Sequence, residues 1–348
     1  GSYTWAANGI TYSASGTYLD TLTSIAGCDS VVTLQLTIVS SLVLTTTASD
    51  TVVCAGTTVN IGVTTNAAAD SSGSAFIMKV RTTNPGTSNN DQFQLTGAEG
   101  EYNIVATHIA SGNIETFNNL TGQQTLTFSN GTGDYLVKVF PTGSVPLHRI
   151  QFNNTGDRSK LLEISNWGTI AWSSFAFAFY GCSNLTLNTA DAPNLNSVTD
   201  LSSMFRNAAQ FDQYIGDWDV SSITSLHFTF AGASLFNQAL GTWDVSSVTN
   251  FGKTFGNATS FNQDLSNWDV SSATNMGYMF DGATSFNQGI GTWDVSDVTY
   301  MSFMFQNATI FNQNLSGWCV SNFSTAPSNF STSSALTISN HPVWGTCP

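Results

Sequence analysis

A tryptophan recurs every 25 residues in the second half of the chain, and this period restricts the possible folds more than any other feature. The tryptophans are Trp218, Trp243, Trp268, Trp293 and Trp318. Two phenylalanines keep the same register, at Phe205, Phe230, Phe255, Phe280 and Phe305 and at Phe211, Phe236, Phe261, Phe286 and Phe311. One unit of this length cannot bury its own apolar face, whereas stacked copies share a core. The sequence therefore predicts a repeat architecture.

Two apolar spacings alternate within each unit. Leu240, Trp243 and Val245 end on a two-residue step, which is typical of a short strand. The next apolar residues of a unit, as in 298–308, are three and four apart, as on one face of a helical turn. These spacings predict a solenoid like that of leucine-rich repeats, with short parallel strands and helical or 3-10 turns. The Trp, Phe and Met columns are expected in its core. A ladder that satisfies backbone groups is expected from Asn237, Asn262, Asn287 and Asn312.

The repeat resembles a known family in its details. The string FNQDLSNWDVSSATNMGYMFDGATSFNQ, at 261–288, is similar to the surface-protein repeat of the BspA-like leucine-rich repeat family. The resemblance covers about residues 150–348, and the domain is predicted to span 159–348 with end caps, where Phe330 and Trp344 could plug the last coil. The family implies an adhesin-like protein at the cell surface, and it implies no catalytic residues.

The first part of the chain alternates Val, Ile, Leu and Thr with polar residues and turn signals, which indicates antiparallel β-sandwich domains. Residues 1–40 resemble a fragment of the Ig-like repeat of Bacteroidetes adhesins, which are exported by type IX secretion. Residues 76–158 resemble a PKD-like or Ig-like β-sandwich, and 41–75 are either a linker or part of the neighbouring domain. The predicted fold class is therefore all-β sandwich domains followed by a leucine-rich-repeat-like solenoid. The opening Gly1-Ser2 suggests a piece of a longer surface protein.

Charge and hydropathy exclude several partners. Eight Lys and Arg stand against 22 Asp and Glu, which gives a net charge of −14. Nucleic acid and anionic lipid both require clustered Lys and Arg, so neither is expected as a partner. No apolar run of about 18 residues is present, so membrane insertion is not expected either.

An acidic column is predicted on the outer face of the repeat. If Trp and Val point inward, the residues beside them point outward. One outward column contains Asp219, Asp244, Asp269 and Asp294, and the next contains Asp217, Thr242, Asn267 and Thr292. Carboxylates stacked about 4.8 Å apart would repel one another. Three explanations stay open: each Asp caps the N–H groups of the following Ser residues, the column binds glycan or Ca²⁺, or the carboxylates are partly protonated.

Cysteine spacing predicts one disulfide. Cys319 and Cys347 enclose the last segment, where a repeat stack needs closing, so we expect them to be bonded. Buried free thiols are the alternative. Cys28 and Cys54 could pair with each other, which would leave Cys182 unpaired.

No catalytic motif stands out. The four histidines, at 108, 148, 227 and 341, do not match a motif with a nucleophile, and the periodic carboxylates look architectural. The sequence therefore predicts a non-enzymatic, extracellular cell-surface adhesin or recognition module. Its repeat would bind glycan or protein on another cell or surface, held away from its own cell by β-sandwich spacers. The alternative is a structural segment of a surface filament without a dedicated ligand.

Overall fold

The computed structural model describes residues 73–189 and 191–348 in full and, in the first 36 residues, the backbone of four strands. It divides the chain into two compact units, 1–72 and 73–348. The domain boundaries predicted after residues 40, 75 and 158 stay predictions. Buried side chains on both sides of residue 158 belong to one hydrophobic core, which runs from Phe76 to Leu336.

The first unit contains two antiparallel pairs of strands. Strand β1 (Tyr3–Thr4) pairs with β2 (Thr11–Tyr12), and β3 (Gly16–Thr23) pairs with β4 (Asp29–Leu36). The long pair runs in register from Gly16 opposite Leu36 to Thr23 opposite Asp29. Cys28 and Cys54 lie outside the described residues, so their predicted pairing stays a prediction.

The second unit begins with a six-stranded sheet. The remaining strands are β5 (Phe76–Arg81), β6 (Gln92–Leu95), β7 (Glu101–His108), β8 (Ile114–Thr121), β9 (Gln124–Thr127), β10 (Asp134–Pro141), β11 (Leu161–Asn166) and β12 (Thr186–Leu187). The sheet order is β12-β11-β5-β10-β7-β8, and β6 pairs separately with β9. Every second residue of β7 and β10 is buried through most of each strand, because successive side chains point to opposite faces.

The 25-residue repeats, here called coils, lie side by side and are joined by backbone hydrogen bonds. The N–H groups of Leu226, Phe228 and Phe230 each donate to a carbonyl of the next coil at 2.9 Å. The intervening N–H groups donate within their own coil, as Thr229 does to the carbonyl of Leu226 at 3.0 Å. Isolated parallel bridges join Asp200, Ser225, Asn250, Asn275 and Tyr300 in order. Each coil is therefore a run of tight turns, and backbone bridges along this edge join it to its neighbours.

The predicted fold class is wrong. The structure is β-rich but forms no closed solenoid, and its described residues hold no α-helix and only one short 3-10 helix, η1 (Ile338–Asn340). The predicted helical segment fails because Phe303 has φ 63° and Asn307 has φ 56°, values that a right-handed helix excludes. The predicted strand fails because Trp243 N–H donates to the carbonyl of Leu240 at 3.0 Å, which closes a turn.

Aromatic columns fill the core of the coils, as the sequence predicts. The five repeating tryptophans are at most 6% exposed, and both phenylalanine columns are buried. Rings of Phe230 and Phe255 are 5.7 Å apart, and those of Phe236 and Phe261 are 6.0 Å apart. The indole N–H of Trp268 donates to the carbonyl of Leu240 at 2.9 Å, so the buried polar atom has a partner.

The predicted asparagine ladder is present. The side-chain oxygen of Asn237 accepts the N–H of Asn262 at 2.9 Å, and Asn262 does the same for Asn287 at 3.0 Å. The glutamine column reinforces it, since Gln288 Nε2 also donates to Asn262 Oδ1 at 3.0 Å. Asp212 begins the ladder, and Thr337 ends it by donating its N–H to Asn312 Oδ1 at 3.0 Å.

Asparagine and glycine alternate at one left-handed position of successive coils. The column is Asn154, Gly181, Asn207, Gly232, Asn257, Gly282 and Asn307, and every member has positive φ. Each glycine lies against the asparagine of the coil before it. A Cβ added to Gly232 would lie 2.3 Å from Asn207 Oδ1, and one added to Gly282 would lie 2.3 Å from Asn257 Oδ1. The 25-residue repeat therefore carries a second period of two coils.

A cap closes the last coil. Phe330 is 2% exposed and meets Phe305 and Trp344 edge to face, with ring centroids 5.4 and 5.0 Å apart. Cys319 and Cys347 form the predicted disulfide, and Cys182 is a buried free thiol. Among the described residues, no helix is long and apolar enough to cross a membrane.

Candidate binding surface

The predicted acidic column is exposed, and its carboxylates cap turns. Asp244 Oδ1 accepts the N–H of Ser246 at 3.1 Å and its hydroxyl at 2.6 Å. Asp219 makes the same pair of bonds with Ser221. Asp269 and Asp294 accept the N–H of the serine two residues on, at 3.0 Å in both cases. The column therefore has the local capping role that was one of the three explanations.

Hydrogen bonds favour the ionised form of two carboxylates in this column. The hydroxyl and N–H of Ser221 lower the pKa of Asp219, and those of Ser271 lower the pKa of Asp269. At these two positions, a lowered pKa argues against partial protonation of the column. In residues 73–189 and 191–348, no group of three or more His, Cys, Asp or Glu is arranged to hold a metal ion. The calcium and glycan roles of this column stay predictions.

The second predicted column is exposed but chemically mixed. Asp217 accepts the hydroxyl of Tyr214 at 3.0 Å, and this bond raises the pKa of Tyr214. The hydroxyl of Thr242 donates to the carbonyl of Gly216 at 2.8 Å. Asn267 and Thr292 are exposed at the same position of later coils. The coils do not repeat one binding group here, so this column offers no uniform surface.

A different column combines aromatic rings with cations. We call it the ring–cation column; its members are Tyr180, Arg206, Phe228, Lys253, Tyr278 and Phe303, all half-buried. The guanidinium carbon of Arg206 lies 4.8 Å from the ring centroid of Tyr180 and 4.3 Å from that of Phe228. Lys253 Nζ lies 5.9 Å from the centroid of Phe228 and 5.3 Å from that of Tyr278. The rings of Tyr278 and Phe303 stack at 4.4 Å.

The backbone under this column is strained. Phe228 has φ 60°, Lys253 56°, Tyr278 60° and Phe303 63°. Left-handed backbone is uncommon for any residue but Gly, Asn and Asp, and costs of order 1 kcal/mol or more for bulky ones. Because such strain gathers at functional sites, these bulky side chains at left-handed positions point to a use for the column.

The column also contains the cations of the repeat region. From residue 173 to the end, the sequence has two Lys or Arg residues, Arg206 and Lys253, and both lie here. Lys253 Nζ is 3.5 Å from Asp281 Oδ2. Burial lowers the pKa of the neighbouring His227, and the charge of Arg206 lowers it further.

The sequence did not lead us to this column, although four of its members lie at one position of the repeat. Positions 228, 253, 278 and 303 are 25 residues apart and carry Phe, Lys, Tyr and Phe. A position that changes from copy to copy between aromatic and cationic residues does not look like a core position. Only the structure shows that Arg206, three residues beyond the matching position of its coil, reaches between two rings of the column.

One family matches the repeat region. Residues 173–283 and, in an overlapping match, residues 240–344 match a family described as "Mycoplasma protein of unknown function, DUF285". These matches cover just under half of the chain and follow the coils. No curated protein and no solved structure matches the chain.

Proposed function

We propose that this chain is part of a longer extracellular surface protein, and that it recognises a glycan or protein on another cell through the ring–cation column. The observation that carries the proposal is the strained left-handed backbone that holds Phe228, Lys253, Tyr278 and Phe303 half-exposed. The resemblance to BspA-like surface proteins supports a role in adhesion. The proposal includes no catalytic chemistry.

The competing proposal is a structural segment of a surface filament. Its support is the number of side chains that serve the stack itself, including the asparagine ladder and the capping aspartates. A filament segment needs internal order but no ligand.

Binding of the full 348-residue chain to glycan and matrix-protein arrays, with Ca²⁺ and with a chelator, separates the two. One variant, Tyr278→Asn with Phe303→Asn, replaces two rings of the column. Asparagine tolerates left-handed backbone, as it does in this chain at Asn257 and Asn307. A second variant, Asp244→Ala with Asp269→Ala, removes two capping carboxylates.

Loss of binding in the first variant alone, with an unchanged melting temperature, is the expected result. If the parent chain binds only in the presence of Ca²⁺ and the second variant alone loses this binding, the acidic column is the recognition site instead. A wild-type chain that binds no array component would favour the filament segment. Hydrolysis of a polysaccharide on the array would contradict the non-enzymatic proposal.

A further inference from the structure

Two aromatic rings enclose the guanidinium of Arg206 near the start of the ring–cation column. The guanidinium lies between the rings of Tyr180 and Phe228, at 4.8 and 4.3 Å from their centroids. Stacking of this kind covers the faces of the planar group and leaves its N–H donors pointing sideways. Among the described residues, Arg206 pairs with no carboxylate, whereas Lys253 pairs with Asp281.

A second arginine, Arg158, lies beside the backbone next to Tyr180. The N–H of Gly181 donates to the carbonyl of Arg206 at 2.8 Å, and a Cβ added to the same glycine would lie 3.0 Å from Arg158 Nε. The side chain of Arg158 and the backbone carbonyl of Arg206 therefore both lie next to Gly181. Both arginines stand out in a chain with eight Lys and Arg and a net charge of −14.

We infer that Arg206 binds a single carboxylate group of an otherwise neutral glycan. A guanidinium whose fork is fixed in advance makes two parallel hydrogen bonds to a carboxylate, and loses little freedom in doing so. This inference rests on the proposed function, and it names the chemical group that the ring–cation column would recognise.

The wider charge of the molecule selects against a polyanion. A chain of net charge −14 repels a polymer that carries many negative groups, while one carboxylate meets mainly the local field of Arg206. The ligand class is thus a glycan with an isolated acidic sugar, such as a terminal uronic acid.

The backbone selects against a peptide. An extended peptide binds by adding a strand to a free edge. Here the carbonyls of Tyr180 and Arg206 already accept bonds from Asn154 and Gly181, and the N–H of Phe228 donates to Gly252. Side chains are therefore the available donors, and Asn154 and Asn207 are exposed beside them to meet sugar hydroxyls.

The test measures binding of the full chain to paired oligosaccharides that differ in one group, a terminal uronic acid or the matching neutral hexose. We expect the acidic member to bind at least tenfold more tightly, and Arg206→Gln to remove this preference. Arg206→Lys keeps the charge but loses the planar fork, so it should lose most of the preference as well. Lys79→Gln, which removes one positive charge from the sheet, is the matched control and should keep it.

Each result has a distinct meaning. Equal binding of the acidic and neutral sugars, or an Arg206→Gln variant that keeps the preference, would overturn the inference while leaving the proposed function in place. Tighter binding of polygalacturonate than of the single uronic acid would also overturn it. Binding of no sugar or protein at all would refute both. Melting temperatures of the variants separate these results from misfolding.

Discussion

At the scale of single residues, short polar side chains close the turns of the coils. The N–H of Ser266 donates to Asp264 Oδ1 at 2.9 Å, and the N–H of Ser316 donates to Asn314 Oδ1 at 3.0 Å. Asp and Asn thus perform the same task at equivalent positions of two coils. The difference is that the carboxylate titrates and the amide does not.

The capping aspartates should make the fold sensitive to acid. Serine donors lower the pKa of Asp219, Asp264 and Asp269 below the ordinary 3.8. Their stabilising effect is therefore complete above that value and is lost as the pH falls through the lowered pKa values. We expect the melting temperature to fall below about pH 4, and to fall less in the triple variant with Asn at these three positions, measured by circular dichroism from pH 7 to pH 2.5.

The triple variant also supplies its own check at neutral pH. Because Asn accepts the same bonds, its melting temperature at pH 7 should stay close to that of the parent chain. An acid response identical to the parent's would show that other groups control it; Asp134 is one, since its pKa is lowered by a hydrogen bond from Arg81.

Gly232 should tolerate no side chain. Its φ is +73°, and an added Cβ would lie 2.3 Å from Asn207 Oδ1. We expect Gly232→Ala to lower the free energy of unfolding by at least about 2 kcal/mol, from left-handed strain and overlap together, measured by urea denaturation.

Gly289→Ala is the control, because its added Cβ would meet nothing within 4 Å and its φ is ordinary. That variant should change stability by no more than about 0.5 kcal/mol. Adding Asn207→Gly to Gly232→Ala should recover the part of the loss that comes from overlap. No recovery would mean that strain alone accounts for the cost.

At the scale of elements, a ladder of side-chain acceptors joins neighbouring coils by hydrogen bonds, as strand pairing joins the strands of the sheet. Asn262 Oδ1 accepts hydrogen bonds from the backbone N–H of Asn287 and from the side-chain amide of Gln288, both at 3.0 Å. Its removal would leave the half-buried N–H of Asn287 without a partner, while Gln288 Nε2 would keep its bond to the backbone carbonyl of Asn262 at 3.1 Å.

We expect Asn262→Ala to cost about 1–3 kcal/mol, the range for a buried donor left unsatisfied. Asn262→Asp should cost much less, because Asp212 fills the same role in an earlier coil, where it accepts the N–H of Asn237 at 2.8 Å. Equal losses in the two variants, again by urea denaturation, would contradict the ladder's role.

The sequence predicts the period, the core columns, the asparagine ladder and the disulfide, because each repeats or pairs residues of one kind. It does not predict the backbone of the coil. Apolar spacing at Val298, Met301 and Met304 suits a helix and a run of turns equally well, and the choice depends on left-handed φ at Phe303, which no propensity favours. The ring–cation column was missed because its members also lie on left-handed backbone that their residue types do not favour.

At the scale of the whole molecule, the cap and its disulfide close the far end of the core. The bond joins residues 28 positions apart. Loop closure over that length should stabilise the folded chain by about 3 to 4 kcal/mol.

Replacing Cys319 and Cys347 together by Ser should therefore lower the free energy of unfolding by that amount. Hydrogen exchange should rise first in residues 311–348, since the loss of constraint is local. Reductant should destabilise the parent chain and leave the double variant unchanged; an equal effect on both would point to another thiol pair.

The alternation of asparagine and glycine affects how many coils this repeat can gain or lose at once. Removing one coil, residues 232–256, would place Asn207 directly against Asn257, so the two side chains would have to rearrange. Removing two coils, residues 232–281, would place Asn207 against Gly282 and restore the fit. We therefore expect insertions, deletions and unequal exchanges of fifty residues to be tolerated better than those of twenty-five.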